Sequence, residues 1–183
     1  MVAARNGFCC RFNEDDVRSM GRNSSGVKAI SIEDEDEVVG ALVINPAAED
    51  FASKTILVVS ENGFGKRSEP DEYRVTRRGA KGVKTINITE KTGPLVAIKA
   101  VTEDNDLMII NRSGLTIRMS VAEIRVAGRA TQGVKLINLR EGDSIAAVSP
   151  VARSDEDAAA AAQEGTEATE QQAAETAVDV NNE

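Results

Sequence analysis

Residues 61–88 read ENGFGKRSEPDEYRVTRRGAKGVKTINI, and the same grammar recurs on either side of them. Residues 5–32 read RNGFCCRFNEDDVRSMGRNSSGVKAISI, and residues 112–139 read RSGLTIRMSVAEIRVAGRATQGVKLINL. In every copy one glycine precedes a second by 19 positions: Gly7 and Gly26, Gly63 and Gly82, Gly114 and Gly133. Self-similarity at a period of about 50 residues marks stacked or radial all-β units. Each residue therefore has two internal counterparts against which a functional reading can be weighed.

Each copy opens on an apolar run (Met1 to Ala4, Ile56 to Val59, Leu107 to Ile110) followed by Asn-Gly or Ser-Gly. That pairing is the strongest short-range hairpin signal. A second strand ends near Arg11, Arg67 and Arg118, and a polar, acidic turn and a basic glycine loop follow. Third strands are expected at Val27 to Ile32, Val83 to Ile88 and Val134 to Leu139, and fourth strands at Val38 to Ile44, Leu95 to Val101 and Ile145 to Val151. Four short antiparallel strands per repeat make a propeller-like blade, so the expected fold is all-β, a partial ring of such blades. The expected divisions are a blade over 1–44, a linker over 45–55, a blade over 56–101, a linker over 102–106, a blade over 107–151 and an acidic tail over 152–183. Met1 aligns with Leu57 and Met108, inside the first strand, so the chain is expected to begin within a blade of a larger protein. The tail is Ala- and Glu-rich with almost no large apolar residue and is expected to be disordered.

Composition removes whole classes of chemistry. There is no His, and the only two cysteines, Cys9 and Cys10, are adjacent, so neither a four-ligand zinc site nor a disulfide framework can be assembled. No run of 18 apolar residues occurs and no signal-peptide core opens the chain, which leaves a cytoplasmic location as the expectation. Tyr73 has Val17 and Ile124 as counterparts, so its slot wants an apolar body rather than a nucleophile. The run Gly63 to Ser68 lacks the leading glycine of a phosphate loop and runs into a strand. The acidic groups Glu33 to Glu37 and Glu103 to Asp106 fit no calcium-loop spacing. No catalytic constellation and no metal site is expected.

Charge is distributed unevenly. The net charge of −8 is carried by residues 152–183, which hold nine acidic residues and one basic, leaving 21 of each sign in residues 1–151. What recurs is positive charge, in four slots filled by a cation in all three copies. They are Arg11, Arg67 and Arg118; Arg18, Arg74 and Arg125; Arg22, Arg78 and Arg129; and Lys28, Lys84 and Lys135. The central copy adds Lys66, Arg77 and Lys81. The third slot lies beside glycines and is expected to be the one most open to phosphate. A cation stripe along a blade rim suits duplex DNA that bends around it. The lack of aromatic platforms disfavours single strands. Carboxylates tethered near such a rim are expected to compete with phosphate.

The central string, together with VAEIRVAGRATQGVKLINL at residues 121–139, resembles the C-terminal domain of the DNA gyrase A subunit. FCCRFNEDDVRSMGRNSSGVKAI at residues 8–30 resembles an adjoining blade of that domain, so the resemblance runs over residues 1 to about 151. It implies a six-bladed β-pinwheel, of which this chain carries the last three blades and the acidic tail. It further implies duplex DNA wrapped on the basic rim, in support of ATP-dependent negative supercoiling by the whole enzyme. The implied partners are the B subunit, together with the remainder of the A subunit, in an A2B2 assembly in the bacterial cytoplasm, at the nucleoid. The family's catalytic tyrosine lies upstream and its ATPase on the B subunit, so no catalytic residue and no cofactor is expected here, ATP and magnesium being used through B. The family's basic glycine-rich box belongs to its first blade; Arg77 to Gly82 echo it and depart at Ala80. Two alternatives stay open: the equivalent domain of the topoisomerase IV A subunit, and a propeller-like protein-interaction module.

Overall fold

The computed structural model describes residues 1–153. Its strands in chain order are β1 (Val2–Ala4), β2 (Phe8–Cys10), β3 (Val38–Ala41), β4 (Thr55–Ser60), β5 (Phe64–Ser68), β6 (Val83–Lys84), β7 (Leu95–Val101), β8 (Asn105–Asn111), β9 (Thr116–Ser120), β10 (Val134–Lys135) and β11 (Ile145–Ala152). Single 3₁₀ turns follow the second strand of each repeat, at Glu14–Asp16, Pro70–Glu72 and Val121–Glu123. Their starts are built by local chemistry: the side chains of Asn13 and Ser120 accept from the amides of Asp15 and Ala122, and Pro70 supplies a preset φ. The tail expected to be disordered lies, from Ser154 onward, outside the described residues.

Two blades of four antiparallel strands form, each woven from two repeats, and a third sheet holds three strands of the last repeat. The sheet orders are β3-β1-β2-β6 and β10-β5-β4-β7, with a three-stranded β11-β8-β9. Strand β6 belongs to the second repeat yet pairs with β2 of the first, Phe8 opposite Lys84 and Cys9 opposite Val83. Strand β10 of the third repeat does the same to β5 of the second, Val134 opposite Gly65. The expectation that a repeat keeps its own third strand is thus corrected. The expected runs Val83 to Ile88 and Val134 to Leu139 shrink to two residues each, and Val27 to Ile32 forms no strand. A third strand exists only where a preceding second strand offers its edge, and among the described residues none does so for Val27 to Ile32.

The glycine pair is the geometric counterpart of this exchange. All six glycines have positive φ, between 78° and 88°. A Cβ on Gly7 would lie 2.8 Å from Ile88 and one on Gly63 2.8 Å from Ile137, each on the next repeat. A Cβ on Gly82 would overlap the carbonyl of Cys9, and one on Gly133 would lie 2.5 Å from the carbonyl oxygen of Gly65, each on the previous repeat. Gly26 and Gly114, at the two ends of the series, meet nothing within 4 Å.

Side chains of the central strand alternate between two cores, as strand geometry requires. Ile56 and Val58 join Ala3, Cys9, Ile86 and Ile98 around Tyr73. Leu57 and Val59 join Leu107, Ile109, Val121 and Ile145 around Ile124. Tyr73 is a fully buried wedge between the first two sheets, its hydroxyl 2.6 Å from Thr85 Oγ1, and burial pushes its pKa up to about 12. Val17, which fills the same slot in the first repeat, stays 40% exposed beside a cavity of about 660 Å³ lined in part by Phe12, Val43 and Val75. Residues 1–151 make one compact unit.

Gly26 and Gly82 share a backbone conformation and differ only in their neighbours, which gives a direct test. Gly26→Ala is expected to cost about 1–2 kcal/mol from the left-handed conformation alone. Gly82→Ala adds an overlap with backbone worth about 1–3 kcal/mol more. Urea melts of the two variants measure the difference, and equal losses would mean that the close approach carries no energy.

Candidate nucleic-acid interface

The four cation slots separate by what their side chains touch. In the first slot, Arg11 donates through Nη1 to the carbonyls of Pro70 (2.7 Å) and Tyr73 (3.1 Å), on the 3₁₀ turn of the next repeat. Arg67 repeats this contact one junction later: its Nε donates to the Ile124 carbonyl at 2.7 Å, while its head pairs with Glu103 at 3.2 Å. At 3% exposure Arg67 is an interior residue. Arg118 pairs through Nε with Asp106 at 2.7 Å. Guanidinium forks suit such multiple capture of oxygen where an ammonium does not.

The third slot reaches the other way. Arg78 donates to the carbonyls of Asp16 (3.0 Å) and Lys28 (2.6 Å) on the preceding repeat. Arg129 donates to the equivalent carbonyls of Glu72 (3.1 Å) and Lys84 (2.8 Å), and its own amide donates to the Glu72 carboxylate at 2.8 Å. This corrects the expectation that the glycine-flanked slot is the one most open to phosphate. Arg22 of the same slot is exposed and has no side-chain partner among the described residues.

Lys66 is a second correction, since it lies in the interior, 0% exposed, with Nζ donating to Ser68 Oγ at 2.8 Å. Its counterparts are Cys10 and Ile117, so an ammonium occupies an apolar slot. Burial pulls its pKa down to about 8, against the opposing pull of the Glu72 carboxylate. Within the acidic group at Glu103 to Asp106, Glu103 pairs with Arg67 and Asp106 with Arg118, and no group of potential metal ligands exists among the described residues.

The remaining slots face solvent. Arg18, Arg74 and Arg125, and Lys28 and Lys135, are exposed and make no side-chain bond among the described residues. Arg77 is likewise free; Lys84 makes one long bond to Asn87 Oδ1 (3.3 Å), and Lys81 sits 62% exposed, 3.7 Å from Glu33 and over the Phe8 ring. These groups share each junction. The Arg78 guanidinium touches the backbone of both Asp16 and Lys28, and Arg18 lies two residues, at most about 7 Å of chain, beyond Asp16.

Sequence reasoning missed a further slot. Arg5, Glu61 and Arg112 occupy equivalent positions and form an alternating chain, Arg5 to Glu61 at 2.8 Å and Arg112 to Glu61 at 3.8 Å. The signal was present as a sign change in one repeat. Retention of Arg rather than Lys was the matching signal for the first and third slots, though the second slot keeps Arg without capturing a carbonyl.

Three interlocked all-β repeats with a solvent-facing cation at every junction define the class. Residues 1–45, 54–102 and 105–152 match the family described as DNA gyrase C-terminal domain, beta-propeller. The chain belongs to that family. It is 45% identical over 145 residues to the A subunit of DNA gyrase from Fibrobacter succinogenes, covering 79% of this chain and 15% of that protein. The chain thus spans well under a quarter of the length of this curated relative. A solved DNA gyrase A C-terminal domain superposes with a TM-score of 0.73 at 27% identity, covering 81% of this chain and 49% of that one. The C-terminal domain of DNA topoisomerase IV superposes at 0.75 with 19% identity, over 90% and 50% of the two chains, a likeness of fold.

The buried ammonium yields a pH prediction. Folded Lys66 loses its proton near pH 8 while the unfolded chain holds it to about 10.5, so stability rises with pH above 8. The Met1 amino group, lowered from 8.0 by burial, adds a rise of its own below about pH 8, and Cys9, pushed up to about 12 by burial, acts in the opposite sense above its ordinary value of 9.0, which confines the Lys66 window to about pH 8–9. Urea melts across that window are expected to show the rise, and Lys66→Met to be more stable and flat. A variant no more stable than the parent chain would contradict the interior placement.

Proposed function

We propose that residues 1–151 bind duplex DNA through its phosphates, as the C-terminal portion of a gyrase A-like protein. The observation that carries this reading is the recurrence of exposed cations at equivalent positions of successive repeats, Arg18 with Lys28, then Arg74 with Lys84, then Arg125 with Lys135. A surface repeating in step with the blades matches a ligand that repeats its charge along a path, and duplex DNA carries one negative charge per about 1.7 Å of axis. The family supports the same ligand. The topoisomerase IV alternative has only the fold in its favour, at 19% identity.

In the larger assembly the domain supports ATP-dependent negative supercoiling by wrapping DNA beside a catalytic core. Other parts of an A2B2 enzyme in the bacterial cytoplasm supply that core, the nucleotide site and the B subunit. This chain contributes binding and path, not chemistry.

Affinity for unrelated duplexes is expected to fall steeply with salt, by about 10³ between 50 and 200 mM if six or more phosphates are contacted. Arg74→Gln and Lys84→Gln should each weaken binding equally on all sequences and lower the salt slope by about 1. Fluorescence anisotropy titrations read both. Absent or salt-independent binding would overturn the duplex reading.

A further inference from the structure

The carbonyls captured by the third-slot arginines lie at the two ends of one loop. Arg78 holds Asp16 and Lys28, the base of the loop that carries Arg18 and Arg22. Arg129 holds Glu72 and Lys84, the base of the loop that carries Arg74, Arg77 and Lys81. Little else closes the first loop: residues 18–29 contain no strand or helix, and most of them are exposed. The second is also held part-way, where the Thr76 amide donates to the Arg11 carbonyl at 2.7 Å, and it ends in β6. Each base is also tied by an equivalent backbone bond to the neighbour's loop, Ser31 to Ala80 at 3.0 Å and Asn87 to Thr131 at 3.1 Å, and the first base by a further one, Gly79 to Ala29 at 2.9 Å.

We propose that Arg78 and Arg129 are positioning residues for DNA binding: each clasps the base of the preceding repeat's cationic loop and thereby presents that loop's free cations to phosphate. The proposal rests on the duplex-DNA reading above. A loop clasped at its ends has fewer conformations to lose when its cations meet a rigid polyanion, so pre-organisation appears as affinity. The fork is the working element. Lysine keeps the charge but cannot hold two carbonyls in a plane. The clasp also makes the cations of one repeat depend on an arginine of the next, so the blades present their charges as a coupled row.

The test uses the full 183-residue chain in two arms. The first needs no DNA: Arg78→Lys is expected to speed tryptic cleavage after Arg18 and Arg22 while the thermal melt stays cooperative and within a few degrees of the parent. The second is a double-mutant cycle on duplex affinity, Arg129→Lys against Lys84→Gln, with Arg78→Lys against Lys28→Gln as an independent pair. A clasp predicts that the lysine variant does not rescue binding and that the pair is coupled by about threefold or more, the glutamine change costing less once the clasp is gone. Wild-type affinity in Arg129→Lys, an additive cycle, or unchanged cleavage would overturn the clasp. Loss of the cooperative melt in both lysine variants would make them folding residues and overturn it as well. If the parent chain fails to bind duplex, the DNA reading falls, and the proteolysis arm still decides whether the loop is clasped.

Discussion

Backbone carbonyls at the edge of one repeat are satisfied by groups from its neighbour, and the rest of the structure follows from that constraint. A three-residue strand such as β2 is too short to stand as a sheet, and a lone hairpin is marginal in water. The chain meets this by exchange: β6 completes the sheet of β2, β10 that of β5, and arginines reach across in both directions to cap turn carbonyls. Burial of polar backbone between blades would otherwise cost about 1–3 kcal/mol per unsatisfied group. Gly82 and Gly133 let the exchanged strands pass close to the carbonyls they cross. The wedges Tyr73 and Ile124 fill the space that the crossing leaves between sheets.

The first, second and fourth strands of each repeat and the blade architecture were legible because the hairpin signals and apolar runs are local, and the repeat supplied each of them three times. The exchange of third strands was not legible. Val83 and Val134 have the same apolar character whether they pair within a repeat or across a junction, and nothing in the pattern distinguishes the two partners. Tyr73 was placed correctly in the core by comparison with its counterparts, since a slot that accepts Val, Ile and Tyr reports packing.

The candidate site was legible in part. Recurrence identified the cations, but recurrence selects for structural duty as strongly as for ligand contact. Arg67 and Arg129 recur because a junction recurs, whereas Arg74 and Lys84 recur with no partner of their own beyond Asn87. Lys66 misled for a different reason: it follows a glycine and precedes an arginine in a basic run, and only the apolar residues in its counterpart positions mark the slot as interior. The physical division is between guanidinium groups whose donors are spent on carbonyls and those whose donors remain available to phosphate.

That division is open to one direct measurement, arginine modification by phenylglyoxal with and without duplex DNA, read residue by residue by mass spectrometry. Arg18, Arg74 and Arg125 should react quickly in the free chain and be protected by duplex, while Arg11, Arg67, Arg78 and Arg129 react slowly in both. Fast reaction of Arg67 and Arg129 in the free folded chain, or protection by DNA at those positions in place of Arg74 and Arg125, would contradict the account.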